Sequence, residues 1–145
     1  MITVQQEDFS LADEYSALQS TTSTGAIVTF VGLVRDFSDN TQEFYLEHYR
    51  GMTERVLDSL IAQARQQWSI LDARIIHRVG HLKPGDQIVF VGVCSAHRKD
   101  AFAACEFLID MLKTKAPFWK KEGAHWVEAK ASDQRHADDW VKRLG

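Results

Sequence analysis

The sequence predicts an α+β domain with a mostly antiparallel sheet, packed helices and a small C-terminal β-hairpin. Three observations carry that prediction. Residues 25–34 and 87–94 are nearly continuous apolar runs rich in β-branched side chains, as buried strands are. Apolar residues recur at three- and four-residue steps over 53–68 and again from Ser95 to about Lys115, the period of helices that lay one stripe on a sheet. Lys83-Pro84-Gly85-Asp86, with proline and glycine at the central positions of a type II turn, joins two strand-like runs closely enough to pair them.

In chain order, residues 2–5 alternate weakly, as a short edge strand does, and Ser10-Leu11-Ala12-Asp13 opens a brief helix with Leu11, Tyr15 and Leu18 on its apolar face. Residues 25–34 read as a central strand that ends at Arg35. A polar loop with Ser38-Asp39-Asn40 follows, then an alternating, half-exposed partner strand at 44–49. Thr53 is the expected N-cap of the second helix, whose stripe is Val56, Leu57, Leu60, Ile61, Ala64 and Trp68. Strands at 74–79 and 87–94 pair across the type II turn. The third helix starts after Ser95 as N-cap, with Ala101, Cys105, Leu108 and Leu112 inward and Phe102 and Ile109 beside them. A hairpin is expected around Glu122-Gly123-Ala124. The tail from Ala131 either stays flexible or forms a weak amphipathic helix with Ala137, Trp140, Val141 and Leu144.

The 145 residues suit one domain with its own core, and no repeat or domain boundary interrupts 1–145. With 45% hydrophobic residues, 26% charged and a net charge of -3, disorder, a membrane span and general nucleic-acid affinity are not indicated, so any anion site is local. The first eight residues lack a basic segment followed by an apolar run, and a cytoplasmic protein is expected. Cys94 and Cys105 read as buried small hydrophobes rather than a disulfide.

The chemistry-bearing stretch is 113–121, Lys-Thr-Lys-Ala-Pro-Phe-Trp-Lys-Lys. Pro117 ends the helix near Lys115 or Ala116, so Lys113 falls in the last helical turn and Lys120 beyond the corner. Two readings stand at this point: two ammonium groups brought to one pocket from two elements, or lysines that complement the helix dipole while Phe118 and Trp119 anchor the turn. Ser95-Ala96-His97-Arg98 likewise reads either as an anion site at a helix start or as a plain cap with exposed side chains, and Arg35 adds a cation at a strand exit. A zinc site of Cys94, His97 and Cys105 lacks a fourth ligand, and His77 and His81 flank a strand-to-turn passage rather than sharing a helical face. No phosphate loop, nucleophile elbow or His-Glu-x-x-His is present.

Several runs together resemble the large catalytic subunit of molybdopterin synthase. They include Thr29-Phe30-Val31-Gly32-Leu33-Val34-Arg35, Leu46-Glu47-His48-Tyr49-Arg50-Gly51-Met52-Thr53-Glu54, Ile76-His77-Arg78-Val79-Gly80, Pro84-Gly85-Asp86, Val91-Gly92-Val93-Cys94-Ser95-Ala96-His97-Arg98 and 112–122. They span nearly the whole chain in the family's order. The resemblance implies an α/β hammerhead-type fold and a homodimer within a heterotetramer. Each copy holds a small ubiquitin-like sulfur-carrier subunit whose C-terminal Gly-Gly tail ends in a thiocarboxylate. The tail gives sulfur to cyclic pyranopterin monophosphate, and two transfers build the dithiolene.

The family's essential lysine falls on Lys113 and its second pocket lysine on Lys120, which the resemblance makes the catalytic pair. Lys113 is the expected acid/base or transient acyl acceptor and Lys120 assists, while Arg35, His97 and Arg98 hold substrate anions together with both lysines. Lys115 and Lys121 are read as solvated charge. No metal and no cofactor is implied. The competing expectation is a non-catalytic relative that binds a ubiquitin-like tail without transferring sulfur; a third is an anion-binding enzyme that needs no protein partner.

Overall fold

The computed structural model describes residues 1–19, 21–35, 44–122, 125–127, 139–142 and 144, with the backbone alone described at 44, 119–122 and 125–127. Among the described residues the elements follow in the order β1 (Ile2–Gln5), α1 (Leu11–Leu18), β2 (Ala26–Leu33), β3 (Phe44–His48), α2 (Met52–Gln67), β4 (Asp72–Arg78), β5 (Gly80–Leu82), β6 (Gln87–Ser95), α3 (Arg98–Lys115), β7 (Phe118–Glu122) and β8 (His125–Val127). They build two four-stranded sheets, in the orders β1-β4-β6-β2 and β5-β3-β7-β8. The β1–β4 pair is parallel and the others are antiparallel, the mostly antiparallel α+β arrangement expected.

The first sheet is covered on both faces. Val89, Val91 and Val93 of β6 point with Ala73 and Ile75 of β4 into the core under α2 and α3, while Phe90, Cys94 and Ile76 point into a second cluster closed by Leu18 of α1. Two covered faces explain why 87–94 reads as an unbroken apolar run instead of alternating. Each fully buried Leu or Phe here contributes about 1.5–3 kcal/mol of transfer free energy. Gly92 lets α1 seat, because a Cβ there would stand 2.6 Å from the Leu18 side chain.

Several expectations change. Residues 25–34 form an edge strand rather than a central one: β2 pairs only with β6 among the described residues. Its apolar run reports that both faces are partly covered, Ala26, Val28 and Phe30 by one cluster and Ile27 and Val31 by the other, not its place in the sheet order. On α1 only Leu18 is buried; Leu11 and Tyr15 remain exposed. The cap of α2 is Gly51, whose positive φ favours glycine and whose N–H donates to Glu54 Oε2 at 3.1 Å; Thr53 lies inside the first turn, fully buried. The cap of α3 is His97, and Ser95 is the last residue of β6. On α3, Phe102 is exposed, and Ala104, Phe107 and Met111 join the buried stripe instead.

Gly85 has a positive φ and Asp86 N–H donates to Lys83 O at 3.0 Å, closing the expected turn. β4 and β6 pair as expected, but the turn itself joins β6 to β5, a short strand of the second sheet that the sequence pattern did not show. The turn expected at 38–40 and the hairpin tip at 123–124 lie outside the described residues, but β7 and β8 do pair antiparallel. In the tail, 139–142 are helical and Trp140 is buried against Trp68 and Phe107, its indole N–H donating to Asp110 of α3 at 2.6 Å. That segment is part of the main core. No helix among the described residues is long and apolar enough to cross a membrane.

Candidate functional site

The second sheet meets one end of the first, and the lysine corner sits at that junction. β6 runs outward to Ser95 and α3 returns across it, with Cys105 Sγ 3.9 Å from Val91 O near the middle of both, so the end of α3 lies toward Gln87 and its β2 partner Leu33. The helix stops as its sequence requires. Ala116 takes an extended conformation before Pro117, with its N–H still donating to Leu112 O at 3.4 Å. Lys113 and Lys115 stand exposed in the last turn, where cations complement the dipole.

Past the corner, Lys120 lies on β7 opposite Leu46 of β3 and Val127 of β8; its side chain lies outside the described residues. Arg35 arrives from the other direction. Val34, just before it, exchanges backbone hydrogen bonds with the 83–86 turn, Val34 N–H to Asp86 O at 2.9 Å and Gly85 N–H to Val34 O at 2.8 Å. The Val34 side chain is buried with Leu46, Val79 and Leu82, against which Phe118 packs. Arg35, Lys113 and the Lys120 backbone are therefore gathered at one end of the molecule.

His97 and Arg98 are not part of that group. They stand exposed at the start of α3; Arg98 is fifteen residues before Lys113, which at the α-helical rise is about 22 Å, and His97 is one residue further. Within one chain, then, the length of one helix separates His97 and Arg98 from Lys113 rather than bringing the five residues together. The N-terminal turn is also already complemented: Asp100 lies in it and accepts Ser69 N–H at 3.1 Å. Buried Ser95 donates to Ser69 O at 2.8 Å and accepts His97 N–H at 3.3 Å.

Residues that sequence reasoning passed over surround the corner. The Thr53 hydroxyl donates to Pro117 O at 3.3 Å. His77, on β4, stacks on Phe118 with ring centroids 3.9 Å apart and planes at 20°, and His48 on β3, the register partner of Phe118, lies 6.4 Å from the same ring. His48 also stands 3.9 Å from a carboxylate oxygen of Glu47 and of Glu54; its Nδ1 and Glu54 Oε1 are buried without a hydrogen-bond partner among the described residues. The signal for these residues was their place in the runs quoted above, not their local pattern.

The metal reading fails on geometry. Cys94 belongs to the cluster under α1 and Cys105 to the one under α3, on opposite faces of the sheet, and both are free thiols. Burial raises both thiols, Cys105 to about 12, so neither is a ready thiolate at neutral pH. Among the described residues no group of three or more His, Cys, Asp or Glu is placed to hold a metal.

The family model described as MoaE protein matches residues 4–115, a span that includes Arg35, His97, Arg98 and Lys113 and stops before Lys120. The molybdopterin synthase catalytic subunit of Vibrio cholerae serotype O1 is 51% identical over 145 residues, covering 96% of this chain and 97% of that protein. The molybdopterin biosynthesis MoaE protein from Burkholderia ambifaria MC40-6 superposes with a TM-score of 0.84 at 47% identity, covering 97% of each chain. The molybdopterin synthase structure from Staphylococcus aureus gives a TM-score of 0.78 at 30% identity, over 86% of this chain and 95% of that one. With a family model over most of its length and such relatives nearly end to end, the chain belongs to the MoaE family of molybdopterin synthase catalytic subunits.

Proposed function

We propose that the chain is the catalytic half of a sulfur-transfer enzyme. It takes sulfur from the C-terminal thiocarboxylate of a small Gly-Gly-tailed subunit and passes it to cyclic pyranopterin monophosphate, twice, to form the molybdopterin dithiolene. The observation that carries this reading is the convergence of Arg35, Lys113 and the Lys120 backbone at the end where α3 turns into β7. A thiocarboxylate and a phosphate are both anions, and preplaced cations stabilise them and the charge that develops as sulfur moves. Lys113 serves as acid/base or acyl acceptor, Lys120 assists, and Arg35 holds anionic substrate. In each transfer the carrier's acyl carbon loses its bond to sulfur and water supplies the oxygen that replaces it, so the tail leaves as an ordinary carboxylate.

In this reading His97 and Arg98 act on the pocket of a second copy. The helix length supports it: Arg98 and Lys113 lie at similar distances on either side of Cys105, so a two-fold axis beside the middle of α3 brings one copy's Arg98 toward the other's Lys113. Phe102 between them, 59% exposed, offers apolar surface for such a meeting. The assembly is then a homodimer of this chain with one carrier on each copy. Two buried free thiols suit the cytoplasm as its setting.

The test mixes the chain with a thiocarboxylated small subunit and the pyranopterin and measures dithiolene. Product that requires both is the expected result. Carrier binding without product points to a non-catalytic relative, and turnover of another anion without the carrier to a different enzyme; either outcome overturns the assignment.

A further inference from the structure

Among the described residues the buried polar side chains are Thr53, His77 and Ser95. Burying a polar group is unfavourable unless its bonds are made, so each such residue calls for a reason that valine or leucine at the same place would not supply. Ser95 ties β6 to Ser69 and to the α3 cap. The other two come from different elements, α2 and β4, and contact consecutive residues of the lysine corner.

Thr53 is fully buried, and its hydroxyl donates to the carbonyl of Pro117. His77 is 6% exposed and lays its ring on Phe118. Its Nδ1 lies 2.9 Å from Arg78 O, and because a carbonyl only accepts, Nδ1 is the donor there. That bond locks the ring's rotation and so fixes the flat face that Phe118 meets. An aliphatic side chain fills the space but presents no fixed plane. His48, opposite Phe118 on the β3–β7 ladder, adds a second ring beside it.

We infer that Thr53 and His77 are positioning residues for the sulfur-transfer reaction: by holding Pro117 and Phe118 they set the angle between the end of α3, with Lys113, and β7, with Lys120. This rests on the roles given to the two lysines above. Both residues are buried beneath the corner. Their effect passes through the corner's geometry, and catalysis is sensitive to displacements of an ångström.

The experiment measures kcat and KM for the pyranopterin, carrier affinity and Tm in the reconstituted complex for two pairs of variants. Thr53→Val removes the hydroxyl at nearly constant volume, and Thr53→Ser keeps it; His77→Leu removes the ring, and His77→Phe keeps a flat face. Thr53→Val and His77→Leu should each lower kcat about tenfold or more, with KM and carrier affinity within about threefold. Thr53→Ser and His77→Phe should recover most of the loss. Should His77→Leu fail to fold, the isosteric Thr53 pair decides. Turnover within about twofold of the parent in Thr53→Val and His77→Leu, or equal losses in the Ser and Phe variants, overturns the inference. Lys113→Ala is run beside them: its loss together with normal Thr53→Val and His77→Leu overturns positioning alone, and normal turnover by Lys113→Ala overturns the lysine roles and the positioning with them.

Discussion

The two ends of α3 carry similar cations in different settings. At its C-terminus the chain turns through Pro117 into a corner held by Thr53 and His77, and Arg35 and the Lys120 backbone are brought alongside by the packing of Val34 and Leu46. At its N-terminus His97 and Arg98 stand exposed beside a turn whose dipole already has Asp100. One end is assembled within the chain; the other presents side chains outward. The difference teaches that cations legible together in sequence need not serve one pocket in one molecule, because a helix of eighteen residues separates its ends by more than any side chain reaches.

The sharpest way to break that comparison is to remove the lysine proposed to react at the C-terminal end. Lys113→Ala should lower dithiolene formation by about 10²-fold or more, with carrier affinity unchanged; near-normal turnover sinks the assignment. Arg98→Ala should lower it by about 10–10²-fold. Mixing the two impaired variants then tests whether the ends belong to different copies. Random exchange should restore about a quarter of parental activity, because half the dimers are mixed and each has one intact site. No recovery after verified exchange would put both residues in one chain's pocket.

Between the ends lies Cys105, which reports whether α3 stays closed on the sheet. Burial raises its thiol from 9.0 to about 12, so the folded chain holds a proton that the unfolded chain releases. The sign follows: this group does not disfavour folding below pH 9 and does so increasingly as pH rises from 9 toward 12. Native protein at neutral pH should leave Cys105 unmodified by a thiol reagent that labels it in denaturant. Labelling at the same rate in both states would mean that the helix opens. The smallest expected effect is that of Lys115→Ala, an exposed last-turn lysine, which should change turnover by less than about twofold and stability by a few tenths of a kcal/mol.

Much of this was legible because it follows from local chemistry. Pro117 ends α3 wherever the helix packs, Pro84-Gly85 makes its turn, and the stripe of α2 needs a sheet to cover it. What was misread shares one cause. The run at 25–34 has the apolar faces of a central strand, but burial of faces says nothing about which edges are paired. Thr53 and Ser95 have cap chemistry but are not the caps; their hydroxyls donate to Pro117, 64 residues away, and Ser69, 26 residues away. Phe102 has core chemistry and is exposed.

The sequence by itself determined the element types apart from the short β5, the corner at Pro117, the lysines on either side of it and the runs that carry the family resemblance, since each depends on backbone preference, hydrophobic period or residue identity. Only the tertiary structure decided that Arg35 joins the lysine end, that His97 and Arg98 stand about 22 Å from it, and that buried Thr53 and His77 hold the corner in shape. Those are distances between residues far apart in the chain. They are set by how two sheets and a helix pack, and no local pattern encodes them.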